Sequence, residues 1–213
     1  MSLTLILVAV TGLISYRGFT DPGTVAKLML YPIQMKQRGE WYRFFSHGFV
    51  HADWGHLIIN MIVLYQFGEF LEGAFANVFG AGLGKILFVL LYLSAIILSS
   101  VPSYFKNQDN PGYSAVGASG GTSALVFGYI LFNPWGWFAF PPLPALLFGV
   151  GYLFYSSYME KRGMDNIGHN AHFWGAVYGV IFTVLAAFAF EPGLVDYFIA
   201  QLMQGPTTPS FMR

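Results

Sequence analysis

The chain has 213 residues, of which 55% are hydrophobic and only 9% charged, against about 25% charged residues in ordinary soluble domains. Ten basic residues balance ten acidic ones and no basic run is present, so there is no electrostatic footprint for nucleic acid. The absence of cysteine removes disulfides, thiolate metal ligands and cysteine nucleophiles together, and leaves serine, threonine or carboxylate as the nucleophiles available.

Apolar runs approach the 20 or so helical residues that cross a bilayer core about 30 Å thick, and with a mean hydropathy of +0.56 they imply an all-α, polytopic integral membrane protein. Six spanning helices are expected, over residues 2 to 16, 55 to 72, 83 to 101, 117 to 132, 143 to 159 and 170 to 190, within a single domain of residues 1 to 213. The first run lacks the positive leading region and the small-residue cleavage site of a secretory signal, so it reads as a retained helix. The connection that follows, from Arg17 to Asp53, is too polar to span but rich in the Trp, Tyr and Phe that suit the headgroup zone. It is expected at the membrane surface.

The second run opens with "SHGFVHADWGHLIIN", where His56 and Asn60 stand four apart and so share a helix face. The fourth run opens with "GASGG", Gly117 to Gly121. From Gly117 to Asn133 there is helix for only about 24 Å, less than the hydrocarbon thickness, so Ser119 is expected below the surface in a polar pocket buried within protein. The sixth run carries "AHFWGAVYG", in which His172, Gly175 and Gly179 lie on one face. Glycines on both runs let two backbones approach closely, near enough for His172 to take the Ser119 proton, as nucleophilic catalysis requires. Asn60, a ring N–H of His56 and the Ser119 N–H are candidate donors to an oxyanion. His47, His51 and His169 read as structural groups bonding loop backbone. Arg43 and Glu40 read as a surface pair.

In this order, "EWYRFFSHGFVH", the spacing His51-x4-His56-x3-Asn60, "GASG" and "AHFWGAVYG" resemble the rhomboid family of intramembrane serine proteases over nearly the whole chain. The resemblance implies Ser119 as nucleophile, His172 as base, and His56, Asn60 and the backbone at Gly117 and Ser119 around the oxyanion. It implies no cofactor and no metal, single-span membrane proteins as substrates, lipid as the surroundings, and a membrane-embedded form for the long first connection. Many bacterial members carry an aromatic four residues after the nucleophile that stacks on the catalytic histidine, where this chain has Ser123. Support for the His172 ring is then sought elsewhere, with Phe173 and Trp174 the nearest rings. No carboxylate clearly completes a triad: Asp165 lies seven residues before His172.

Two other function classes stand beside the protease: a silent relative that binds membrane helices, expected to have lost Ser119 or His172, and a histidine metal site at His47 and His51, which leaves "GASG" unexplained. Eight of the ten basic residues fall in or beside the first, third and fifth connections, which by the positive-inside rule belong in the cytoplasm. The resemblance implies the opposite, a bacterial inner membrane with the site facing the extracytoplasmic side, and that is the expectation taken.

Overall fold

The computed structural model describes residues 2 to 138, 142 to 162 and 168 to 206, and Asp165 lies outside them. Ten α-helices are described: α1 Leu3–Thr20, α2 Pro22–Leu28, α3 Pro32–Arg38, α4 Arg43–Ser46, α5 Trp54–Phe79, α6 Ala81–Asn107, α7 Ser119–Phe132, α8 Ala145–Arg162, α9 His169–Phe190 and α10 Gly193–Gln204. Among the described residues, extended pairing is limited to two isolated bridges, Leu30 with Ala115 and Trp137 with Pro144. The expected all-helical fold is therefore observed.

Four helices (α1, α5, α6 and α9) are long and apolar enough to cross a membrane. The shorter α7 is apolar, and α8 has the length but ends in Glu160, Lys161 and Arg162. These six helices coincide with the six expected runs, although α5 and α6 are much longer than expected. "EGAFANVFGAG", read as a connection, is almost entirely helix, and the turn is Gly80 alone, whose φ of +82° favours glycine. The ends differ because the expected runs follow hydrocarbon length, whereas α5 continues while its buried face, Leu71, Glu72 and Phe75, still packs on the bundle.

Buried polar groups tie the bundle together at both ends. The start of α1 carries N–H groups without intrahelical partners, and the buried Glu72 carboxylate of α5 accepts from the Leu3 and Thr4 N–H groups and the Thr4 hydroxyl, each at 2.9 Å. A carboxylate at a helix N-terminus is also favoured by the macrodipole. At the opposite end, the first connection folds into α2, α3, α4 and a 3-10 turn, His47–Phe49. Asp21 and Pro22 start α2, Pro32 starts α3, and Gly39 in the left-handed region ends it.

Arg43 gathers these pieces. Its guanidinium donates to Glu40 at 2.6 Å, to the Ala26 and Met29 carbonyls at 3.0 and 2.9 Å, and to Gln34 at 3.1 Å. The residue is only 3% exposed, so the expected surface pair is instead a buried organiser of the connection. Five donors in a fixed fork suit a side chain that must satisfy several carbonyls at once. That demand is created by the tertiary arrangement and leaves no mark in the local sequence.

The centre of the bundle is α7, with ten of its fourteen residues buried between α5, α6 and α9. Its roughly 21 Å of helix compares with about 39 Å for α5, and the chain between Asn107 and Ser119 dips inward to meet its start. Beyond α9, an element absent from the sequence reading packs back on the bundle: α10 buries Leu194 and Phe198, and the Trp135 indole donates to the Gln201 carbonyl at 3.0 Å.

Candidate active site

The starts of α7 and α9 lie side by side because glycine leaves no side chain between them. A Cβ on Gly175 would collide with the Gly120 carbonyl, and one on Gly179 with the Ala124 carbonyl. Pairing 175 with 120 and 179 with 124 makes the two helices parallel, with both N-termini at one end. Ser119 stands immediately before one contact and His172 one turn before its partner. Both are half-buried, whereas Gly120 and Gly175 are fully buried. Ser119 is thus accessible at the rim of a tightly closed seam.

The loop before Ser119 is fixed by its backbone donors. Gly117 gives its N–H to the His47 carbonyl at 2.9 Å, and Ala118 gives its own to His51 Nε2 at 3.3 Å. The other His51 nitrogen, Nδ1, is 2.9 Å from the Ser15 hydroxyl, which itself donates to the Phe49 carbonyl at 2.9 Å. With its one proton committed, Ser15 must accept from Nδ1–H, so Nε2 carries the lone pair that receives Ala118. His51 is held as one neutral tautomer, and burial with the neighbouring His56 pushes it down to about 3. Burial likewise holds His47 at about 4. His51 bonds loop backbone as expected, with both of its ring nitrogens engaged, whereas the buried ring nitrogens of His47 have no hydrogen-bond partner.

Gly117 adopts φ +117°, and a Cβ there would lie 2.5 Å from Cε1 and 2.8 Å from Nε2 of the His56 ring. Only glycine admits that ring. Gly117, expected among the oxyanion residues, has its N–H on the His47 carbonyl. Asn60 is buried; its Nδ2 donates to the His56 carbonyl at 2.9 Å and its Oδ1 accepts from Thr122 at 3.1 Å. One Nδ2–H remains, on the wall formed by α5. The Asp53 carboxylate caps α5 through the His56 N–H at 2.8 Å, which sets the level of His56 against the loop.

The His172 ring is stacked on Tyr152 of α8, with centroids 5.9 Å apart and planes 19° from parallel. Phe173 and Trp174, the rings considered from the sequence, pack on each other at 88°, and Trp174 is 42% exposed. The tyrosine hydroxyl lies 3.1 Å from the Ser123 hydroxyl. Serine where an aromatic was expected therefore meets an aromatic from another helix. No local signal could have revealed it, since the contact joins positions 20 residues apart through tertiary packing. His169 is buried, edge-on to His172 and to Tyr155, and Asn170 ties the start of α9 to Ser103 of α6 at 3.1 Å.

Fold and site together define a polytopic helical membrane protein with a polar, histidine-rich cluster at the recessed start of its central helix. The model of the Rhomboid domain matches residues 38 to 188, and the chain belongs to the rhomboid family. It is 30% identical over 192 residues to "Rhomboid protease GlpG" of Haemophilus influenzae, covering 84% of this chain and 88% of that protein. It is 29% identical over 178 residues to "Rhomboid-related protein 1" of Caenorhabditis elegans, and 28% over 156 residues to "RHOMBOID-like protein 12, mitochondrial" of Arabidopsis thaliana, covering 80% and 67% of this chain. Of those last two relatives the chain spans 45% and 46% of the length.

Proposed function

We propose that this protein is an intramembrane serine endopeptidase acting through a Ser119/His172 dyad, with six spanning helices and no cofactor. The observation that supports the reading is the parallel contact of α7 and α9 at Gly120 and Gly175, with Ser119 one residue before the first and His172 three residues before the second, in a member of a family that includes rhomboid proteases. His172 removes the Ser119 Oγ proton as Oγ bonds to the peptide carbonyl carbon, and the carbonyl oxygen becomes an oxyanion. The Ser119 N–H, at a helix start where first-turn donors have no intrahelical partner, stabilises it with the remaining Asn60 Nδ2–H and a His56 ring N–H.

Collapse of the intermediate breaks the C–N bond, and His172 returns its proton to the leaving amine. Water, deprotonated by the same imidazole, then attacks the acyl-enzyme and releases the acid and the free serine. Because the site is recessed within a bundle of apolar exterior, the substrate class is the spanning segment of a membrane protein, entering from lipid. The site faces the extracytoplasmic side of a bacterial inner membrane.

The test is labelling by a fluorophosphonate probe of the protein purified in detergent, beside Ser119→Ala and His172→Ala. Labelling of the wild type, lost in the first variant and reduced about a thousandfold or more in the second, supports the dyad. A folded wild type that does not label favours a silent binder of membrane helices.

A further inference from the structure

We propose that Tyr152 is a positioning residue for His172, tethered by Ser123, so that the reactive geometry at Ser119 depends on the seating of α8 as well as on α7 and α9. The inference rests on the dyad reading above.

Three rings are linked by near-parallel pairs. Phe148 stacks with Tyr152 at 6.0 Å and 19°, and Tyr152 with His172 at 5.9 Å and 19°. Phe138 closes the far end edge-on to Phe148 at 4.8 Å, and Phe127 of α7 flanks Tyr152 at 6.3 Å. An imidazole with an aromatic face against it cannot turn about its χ2 without losing that contact, and offset stacking of this kind is worth about 0.5 to 1.5 kcal/mol beyond the area buried. The Ser123 hydroxyl holds the outer end of the tyrosine, and Ser123 is four residues, one helical turn, from Ser119 on α7.

Nucleophile, tether and ring thus close a loop through three helices: Ser119 and Ser123 on α7, Tyr152 on α8, His172 on α9. A misplacement of about 1 Å can cost a hundredfold in rate, so an imidazole released from its stack loses the orientation that deprotonates Ser119. Any displacement of α8 from α9 withdraws the ring. The protein therefore carries a built-in dependence of its base on the position of a helix that contributes neither reacting group.

A small fluorophosphonate reads this without involving entry of a membrane substrate. Its labelling is resolved into a limiting rate and a half-saturating concentration for Tyr152→Phe, Tyr152→Leu, Tyr152→Ala and Ser123→Ala, with thermal unfolding measured in parallel. Tyr152→Phe keeps the ring but loses the hydroxyl that Ser123 holds and is expected to lower the limiting rate about threefold to tenfold, whereas Leu, which keeps apolar volume but no ring face, and Ala lower it about thirtyfold or more. Ser123→Ala is expected to lower it about threefold to tenfold, and half-saturation changes little in all four. The proposal is overturned if every variant that unfolds like the wild type also labels within about threefold of it; Ser123→Ala, the mildest change, keeps that criterion applicable if the larger truncations do not fold. An unlabelled wild type would instead sink the dyad itself.

Discussion

His51 shows how one side chain outside the reacting pair can decide the shape of the site. Its ring joins Ser15 of α1 to the Ala118 N–H, and so ties the first helix to the loop that presents Ser119. Replacing it with phenylalanine keeps the volume, orphans the Ala118 donor and is expected to cost about 1 to 3 kcal/mol near pH 7. The same substitution changes the pH response. Folded His51 is held at about 3 while the unfolded side chain titrates near 6.5, so the unfolded chain binds a proton that the folded one refuses. Its stabilisation is complete above the ordinary value and declines as the pH falls toward the folded one, by about 1.4 kcal/mol for each pH unit. His51→Phe lacks that loss, and His47, unchanged in both proteins, cancels. Thermal unfolding of the two in detergent should therefore show a gap that narrows by about 2 kcal/mol between about pH 7 and about pH 5; a gap independent of pH would refute the neutral, buried tautomer.

Among the helices, the seam between α7 and α9 sets the tolerance of the whole site. A Cβ at Gly179 points at the Ala124 carbonyl, and backbone cannot turn aside as a side-chain end can. Gly179→Ala is expected to part the helices, costing about 1 to 3 kcal/mol and at least about tenfold in Ser119 labelling. Gly151→Ala on α8, where nothing lies within 4 Å of the added carbon, should leave labelling unchanged and, if anything, raise stability by up to about 1 kcal/mol. Equal behaviour of the two variants in unfolding and labelling assays would mean that close approach is not what the seam provides. This seam was readable in advance because small residues recur at helical spacing on both runs, a pattern that survives in one dimension. The recessed start of α7 was readable too, from the shortness of its run. The true ends of α5 and α6 were not, since helix formation does not stop where hydrocarbon does. Neither were the short helices after α1, which Pro32, Gly39 and the buried Arg43 specify jointly, nor α10, whose apolar face gains meaning only against α7 and α9. Tyr152 stayed hidden for the same reason: a stack between helices belongs to packing, and the only trace in the sequence was the unexpected Ser123.

The orientation of the molecule is where two readings of its charge conflict. Eight basic residues belong to the connections at the Ser119 end of the bundle, and a literal count directs that end to the cytoplasm. The structure changes the weight of the count. Arg17 is within 3.6 Å of Asp21, Lys36 within 2.7 Å of Asp109 and Arg43 within 2.6 Å of Glu40, and Lys106 pairs with Glu160. The first connection, which holds four of the eight between Lys27 and Arg43, is folded into helices rather than presented as a short basic loop. In the folded protein four of the eight charges are thus locally paired. The opposite end carries Glu69, Glu72, Lys85, Glu191 and Asp196 and offers no basic cluster of its own to draw it inward. The expectation that the Ser119 end lies outside the cytoplasm therefore rests on the family resemblance, against the charge count. Because the chain has no cysteine, single substitutions report orientation without background. Ser114→Cys, exposed in the connection leading to α7, should react with a membrane-impermeant maleimide in intact cells. Gly82→Cys, exposed at the turn between α5 and α6, should react only after permeabilisation. The reverse pattern would place the site in the cytoplasm, restore the literal charge count, and require substrates cut at their inner ends.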